Sequence, residues 1–268
     1  MFTSAIVRPP GANYAEALTT MDLGAPNYAR ALRQHAAYYE ALEECGLTLT
    51  RLEPDERYPD STFVEDAAVV TNRCATLTRP GAASRVGEVE SIAEVLSRFY
   101  PELHSIHQPG TLDGGDVCEA GCEAGYEAEH EAGDHFFIGI SQRTNEAGAQ
   151  QLAAWLASYG FTSSFVDIRG VKNILHLKSG LAYLGDKRLV VIDALADHNE
   201  FRGHDLVRVT AREQYAANCV RVNDYVLVAA GYPGFEGALQ DLGYQTIALE
   251  MTEFQKMDGG LSCLSLRF

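Results

Sequence analysis

At 268 residues, with 46% hydrophobic and 22% charged residues, the chain can bury a full core and is too apolar to be disordered. Its formal net charge of −16 argues against a nucleic-acid surface, which must be basic, and suits a cationic small molecule, although acidity also serves solubility. No apolar run reaches membrane-spanning length, and residues 1–10 lack the basic and long apolar regions of a signal peptide, so the cytoplasm is the expected compartment.

Taken in chain order, one arrangement recurs: an amphipathic helix, a breaker, then a short strand. Residues 27–45 predict the first helix, stopped by Gly46 and followed by a strand over 47–52. Residues 67–70 and 75–78 form a pair of short strands. A second helix over 85–100 places Val89, Ile92, Leu96 and Phe99 on one face, with Pro101 as breaker and a strand over 103–107. Residues 119–135 interrupt the pattern. They are acidic, repetitive and glycine-punctuated, and read as a solvated extension of the hairpin joining Val117 to Phe136.

A third helix over 144–159 is stopped by Gly160 and followed by a strand over 161–166. Strands over 181–184 and 189–192 lead to a weaker fourth unit over 194–203, then a strand over 206–209. The fifth unit has a helix over 235–242, Gly243, and a strand over 244–249. Five such units predict an α/β fold of cyclic repeats, because no unit buries its own apolar face. Strand ends and loops then meet at the centre. No dinucleotide fingerprint or phosphate loop is present.

The six cysteines, spread through a chain without a secretory signal, read as reduced thiols. Cys118 and Cys122 lie near His130 and His135, but the spacing does not match a standard zinc site, and no metal is expected. Cys263 stands at the mouth of the terminal apolar strand behind Gly259 and Gly260, two residues that allow close backbone approach to a ligand.

Several polar clusters accompany it. Glu65 and Asp66 enter an apolar run, which is costly unless they meet a cation. Asp60 stands just before them, where a cap or surface turn would explain it equally. Residues 113–116 form an acid–glycine–glycine–acid turn, which is also ordinary hairpin chemistry. His176 lies between two leucines whose alternation places it on the opposite face. Arg85 and Arg143 occupy equivalent places at the entry to two helices, where the helix dipole does not favour a cation, and arginine is suited to clamping a carboxylate. A thiol, an imidazole, several carboxylates and two arginines together match the needs of a zwitterionic, cationic substrate.

The segments 63–66 (FVED), 78–85 (TRPGAASR), 112–116 (LDGGD), 175–179 (LHLKS) and 257–263 (MDGGLSC) resemble the dimethylarginine dimethylaminohydrolase family, within the guanidine-modifying or pentein superfamily. The match runs in order over most of the chain. It implies a single catalytic domain over 1–268, a five-bladed α/β propeller of ββαβ units carrying the acidic hairpin insertion at 119–135. It implies hydrolysis of Nω-methylated arginines to citrulline and methylamines through a covalent S-alkylthiouronium, without cofactor or metal. Cys263 would be the nucleophile, His176 the general acid and base, and Asp113 the acid orienting His176 or the guanidinium.

The resemblance further places Asp66 and Glu65 on the guanidinium, Asp60 and the Leu18 backbone on the α-amino group, and Arg85 and Arg143 on the α-carboxylate. Met257 and Asp258 would line the same pocket. Partners implied are a cationic amino acid, with neither nucleic acid nor membrane; the oligomeric state is open, and a homodimer is compatible. Arginine deiminase is the leading competitor, although this chain lacks the larger helical insertion usual there. An amidinotransferase and a non-catalytic amino-acid-binding protein are the others, and binding alone needs neither Cys263 nor His176.

Overall fold

The structure, a computed structural model, describes residues 1–121 and 135–268. Strands of three to six residues cannot bury their faces alone, and here they assemble into five separate sheets of three. The first sheet holds β1 (Ser4–Val7) and β2 (Thr48–Arg51). The second holds β3 (Ala68–Val70), β4 (Ala75–Leu77) and β5 (Leu103–Ser105). The third holds β6 (Val117–Ala120), β7 (His135–Ile140) and β8 (Thr162–Asp167). The fourth holds β9 (Leu181–Tyr183), β10 (Arg188–Ile192) and β11 (Asp205–Val209). The fifth holds β12 (Val220–Val222), β13 (Tyr225–Ala229) and β14 (Gln245–Leu249). The last strand, β15 (Ser265–Arg267), returns to complete the first sheet.

Every sheet has one plan. An inner strand pairs antiparallel with a middle strand, which pairs parallel with an outer one. The parallel step needs a crossover. Helices α1 (Tyr28–Glu44), α2 (Glu88–Leu96), α3 (Glu146–Ser158) and α4 (Pro233–Asp241) supply it in four sheets. A short α5 (Thr252–Gln255) follows β14. Inner strands approach one another, β15 with β3, β6 with β9 and β9 with β12, so the sheets form the blades of the expected five-part propeller.

Local chemistry explains most boundaries. The Asn27 side chain accepts the Arg30 N–H at 2.9 Å and the Asn145 side chain accepts that of Gly148 at 2.8 Å, so both helices begin on an asparagine cap. Gly46, at φ +88°, ends α1 in the left-handed region. The second helix begins at Glu88, later than the apolar periodicity predicts, because Ala83–Arg85 forms a separate 3₁₀ turn. The fourth blade departs from expectation. Residues 193–204 hold turns and the 3₁₀ turn Asn199–Phe201 with no α-helix, since twelve residues rich in Asp, His and Asn, with Gly203 next to last, leave little room for one.

The ring closes where the chain ends meet: Ala5 pairs with Arg267, Ile6 with Leu266 and Val7 with Ser265. Ile6, Val7 and Leu266 are buried there, each contributing roughly 1.5–3 kcal/mol by leaving water. The expected acidic insertion leaves and rejoins the described structure near Ala120 and His135, which pair between β6 and β7. Its residues 122–134, including Cys122 and His130, lie outside the described residues. Among the described residues no helix is long and apolar enough to cross a membrane.

Candidate active site

Just before each inner strand the backbone tightens into a 3₁₀ turn: Val64–Ala67, Gly114–Asp116, Leu177–Ser179, Gln214–Ala217 and Ser262–Leu264. The turn at 262–264 packs on that at 64–67, which packs on 114–116, then 177–179, then 214–217. These five turns ring the propeller axis. They carry or adjoin Cys263, Asp66, Asp113 and His176, residues up to 197 positions apart.

His176 is the centre of the cluster. Its Nε2 lies 3.0 Å from Asp113 Oδ2 and its Nδ1 lies 3.9 Å from Asp66 Oδ1. Asp113, fully buried, also accepts the Gly81 N–H at 2.8 Å and is fixed by its own N–H to Thr144 Oγ1. Asp66 accepts the Gly115 N–H at 2.9 Å on one oxygen and Arg85 Nη1–H at 2.6 Å on the other. A Cβ on Gly115 would stand 2.7 Å from His176 Nδ1 and 2.8 Å from Asp66 Oδ1. Only glycine allows this backbone to come so near, which is the reason for the acid–glycine–glycine–acid motif.

Burial alone would push the His176 imidazolium toward losing its proton, but Asp66, Asp113 and Asp116 together outweigh it and raise its pKa to about 9. His176 is therefore charged at neutral pH. Asp66 goes the other way: burial would raise it, yet His176 and Arg85 hold it down at about 2. Cys263 is 8% exposed, and burial, with the charges of Glu65 and Asp66, raises its thiol to about 12. At rest the thiol is neutral. The carboxyl oxygens of Asp66 and Asp113 and a ring nitrogen of His176 lie within 4.8 Å of one another, a spacing that would also suit a cation. A metal ion would have to displace the proton those carboxylates hold on His176.

Other expected residues have been given different surroundings. The Glu65 carboxylate does not join the His176 cluster. It accepts Ser262 Oγ–H at 2.9 Å and pairs with Lys178 at 2.7 Å and Arg267 at 3.4 Å. With Lys178, Ser262 and Arg267 it lines a cavity of about 690 Å³ against the inner strands, whose walls do not include Cys263, His176 or Asp113. Asp60 is buried and accepts the Leu18 N–H at 3.1 and 3.3 Å, so the two residues are brought together. Burial raises the Asp60 pKa, while Arg85 and Arg143 lower it.

The two arginines differ. Arg85 is buried, with Nε and Nη2 on Glu88, Nη2 also on the Phe63 and Asp60 carbonyls, and Nη1 on Asp66. The half-buried Arg143 guanidinium has no hydrogen-bond or ion-pair partner among the described residues. Met257 is buried in the same apolar cluster as Cys263. Asp258, at φ +57°, spends its carboxylate on the N–H (2.5 Å) and hydroxyl (3.0 Å) of Thr20, tying down the loop that carries Leu18. Gly259 and Gly260 are crowded by the chain itself, with Phe63 and Asn218 where a Cβ would stand, and not held open for a ligand as their sequence suggests.

Sequence reasoning passed over Asp116 and Glu88. Asp116 accepts Leu177 N–H and Ser141 Oγ–H, linking the turn of His176 to the third blade, and burial raises it to about 6. Its place in the quoted LDGGD motif was the available signal. Glu88 had none beyond its spacing three residues after Arg85.

No protein-family profile matches the chain. A dimethylarginine dimethylaminohydrolase of Pseudomonas aeruginosa is 44% identical over 269 aligned residues, covering 100% of both chains. One of Streptomyces coelicolor is 35% identical, covering 98% of this chain and 96% of that one. A solved structure of the Pseudomonas aeruginosa enzyme, a mutant complexed with citrulline, superposes with a TM-score of 0.92 at 43% identity over 100% of both chains. The N-terminal domain of ArgZ, a cyanobacterial arginine dihydrolase, shares the fold with a TM-score of 0.86 at 18% identity, over 100% of this chain and 97% of that one.

Proposed function

From the premise that this chain belongs to the dimethylarginine dimethylaminohydrolase family, we propose that the His176 cluster and Cys263 hydrolyse Nω-methylated arginines to citrulline and methylamines. The observation that carries this reading is the pair of carboxylates facing the two nitrogens of one buried imidazole, with the turn of Asp66 packed against that of Cys263. Such a cluster suits a planar cation. The substrate guanidinium lies against Asp66 and Asp113, its α-amino group meets Asp60 and the Leu18 backbone, and its α-carboxylate meets Arg143. Arg85, with its forks taken, contributes its charge.

The resting thiol, at about 12, is a poor nucleophile. A guanidinium desolvated beside it favours the thiolate, and the thiol proton leaves to solvent as the substrate settles. Sulfur then attacks the central guanidinium carbon. Nε2 of His176 is held by Asp113, which leaves Nδ1–H to protonate the departing alkylamine. The C–N bond breaks and an S-alkylthiouronium remains on Cys263. His176, now neutral, takes a proton from water as the water attacks the same carbon. Collapse breaks the C–S bond as the second proton of that water passes to solvent, which frees neutral citrulline and returns the sulfur as thiolate. The carboxylates stay complementary to a cationic centre throughout.

The test is a competition between equimolar asymmetric dimethylarginine and arginine, followed by mass spectrometry. Dimethylamine with citrulline is the expected outcome. Ammonia with citrulline and no dimethylamine would make the protein a deiminase on the same scaffold. Arg143→Ala is expected to raise KM by about 10- to 100-fold with little change in kcat, because a carboxylate clamp binds ground and transition states alike. An unchanged KM would place the substrate carboxylate elsewhere.

A further inference from the structure

Arg85 places a positive charge beside the one a guanidinium substrate brings. Its guanidinium is buried, and the substrate is itself a cation, so a second buried cation near Asp66 would weaken substrate binding unless balanced. The balance lies on the first residue of α2. Glu88 is buried; its Oε1 and Oε2 accept Arg85 Nε–H at 3.1 and 3.2 Å, and its Oε2 accepts Nη2–H at 2.8 Å. This is the two-pronged geometry that fixes a guanidinium plane. So held, Arg85 can present Nη1 to Asp66 Oδ2 at 2.6 Å, while the other Asp66 oxygen takes the Gly115 N–H and faces His176. Glu88 is buttressed in turn, its carbonyl accepting Ser91 Oγ–H at 3.1 Å and Ser91 Oγ accepting Arg8 Nη2–H at 2.7 Å.

We propose that Glu88 is a positioning residue for the reaction: it locks the Arg85 fork so that Arg85 aims and holds the Asp66 carboxylate for the substrate cation. This deepens the amidine-hydrolase reading and rests on it. The charges agree with the geometry. Burial raises the Glu88 carboxyl to about 7, while the charge of Arg85 and its hydrogen bonds oppose that rise. Ionised, Glu88 offsets the Arg85 charge beside Asp66, and removing it leaves that cation less balanced and its plane unfixed.

The test reads the field at Cys263 without needing turnover. The alkylation rates of Cys263 by 2-chloroacetamidine, a cation, and by 2-chloroacetamide, its neutral isostere, give a preference for the cation. This preference is expected to fall by about tenfold or more in Glu88→Gln, and likewise in Arg85→Lys, which keeps the charge but cannot bridge Glu88 and Asp66 together. Thermal midpoints confirm that the variants are folded, and a defect that is only structural would slow both reagents alike and leave their ratio unchanged. An unchanged ratio in a folded Glu88→Gln protein overturns the proposal. So does a wild-type ratio in Arg85→Lys, which would mean that charge alone matters and not the fork. The wild-type competition between dimethylarginine and arginine reports separately on the substrate assignment.

Discussion

Replacing Cys263 with serine is expected to abolish turnover, by at least about 10³-fold in kcat, while methylarginine still binds with an affinity within a few-fold of the parent. A serine hydroxyl is far harder to ionise than a thiol. Even the thiol, raised to about 12 by burial and by Glu65 and Asp66, depends on the substrate's charge to become nucleophilic. Binding should survive because the groups assigned to the substrate's two ends, Asp60 and Arg143, are untouched. Citrulline release gives kcat, calorimetry gives Kd, and the intact mass of the parent during turnover should show an adduct that the serine variant lacks. Residual hydrolysis within tenfold of the parent would remove Cys263 from its role.

His176→Gln is expected to lower kcat by about 10²–10⁴-fold with a smaller effect on KM, since a proton must reach the leaving amine in the transition state. The pH profile supplies the sharper test. His176 must carry its proton to act first as an acid, and its pKa of about 9 keeps it charged at neutral pH. The parent's kcat should therefore fall as pH rises through about 9, and the glutamine variant should lose that limb. A limb that persists in the variant would assign it to another group. The same shift bears on stability. Because the folded pKa lies above the usual value of about 6.5, the carboxylates around His176 stabilise the fold fully below that pH. That contribution is lost as pH rises through about 9.

Much of the architecture was legible because it is local. The stops at Gly46 and Gly160 and the apolar periodicity of α1 and α3 act through contacts within a few residues. The weak apolar pattern over 194–203 suggests a helix that does not form, because its Asp, His and Asn residues prefer turns. Periodicity does not register the 3₁₀ turn that precedes α2, and that turn places Arg85 deep among acids.

The functional residues divide in the same way. The motifs around Asp66, Asp113, His176 and Cys263 were visible as types, and a thiol, an imidazole and clustered acids point to chemistry on a cation wherever they meet. Their allotment was not visible. Glu65 and Asp66 are consecutive, yet one faces Lys178 and Arg267 and the other faces His176 and Arg85, because both lie in the 3₁₀ turn Val64–Ala67, where successive side chains diverge by about 120°. Arg85 and Arg143 looked equivalent, and only one is spent on Glu88 and Asp66. Glycines 259 and 260 suggested an opening and were instead filled by Phe63 and Asn218.

By itself, then, the sequence determined the repeat, most of the helices and the family, since periodicity, glycine stops and ordered motifs are properties of neighbours along the chain. The tertiary structure alone decided which acids face the histidine, which of the two arginines has no partner among the described residues, and that Glu88 grips Arg85. The reason is physical: the cost of burying a charge is set by its partners within a few ångströms, and here the acids around His176 arrive from turns of neighbouring blades, far apart in the chain.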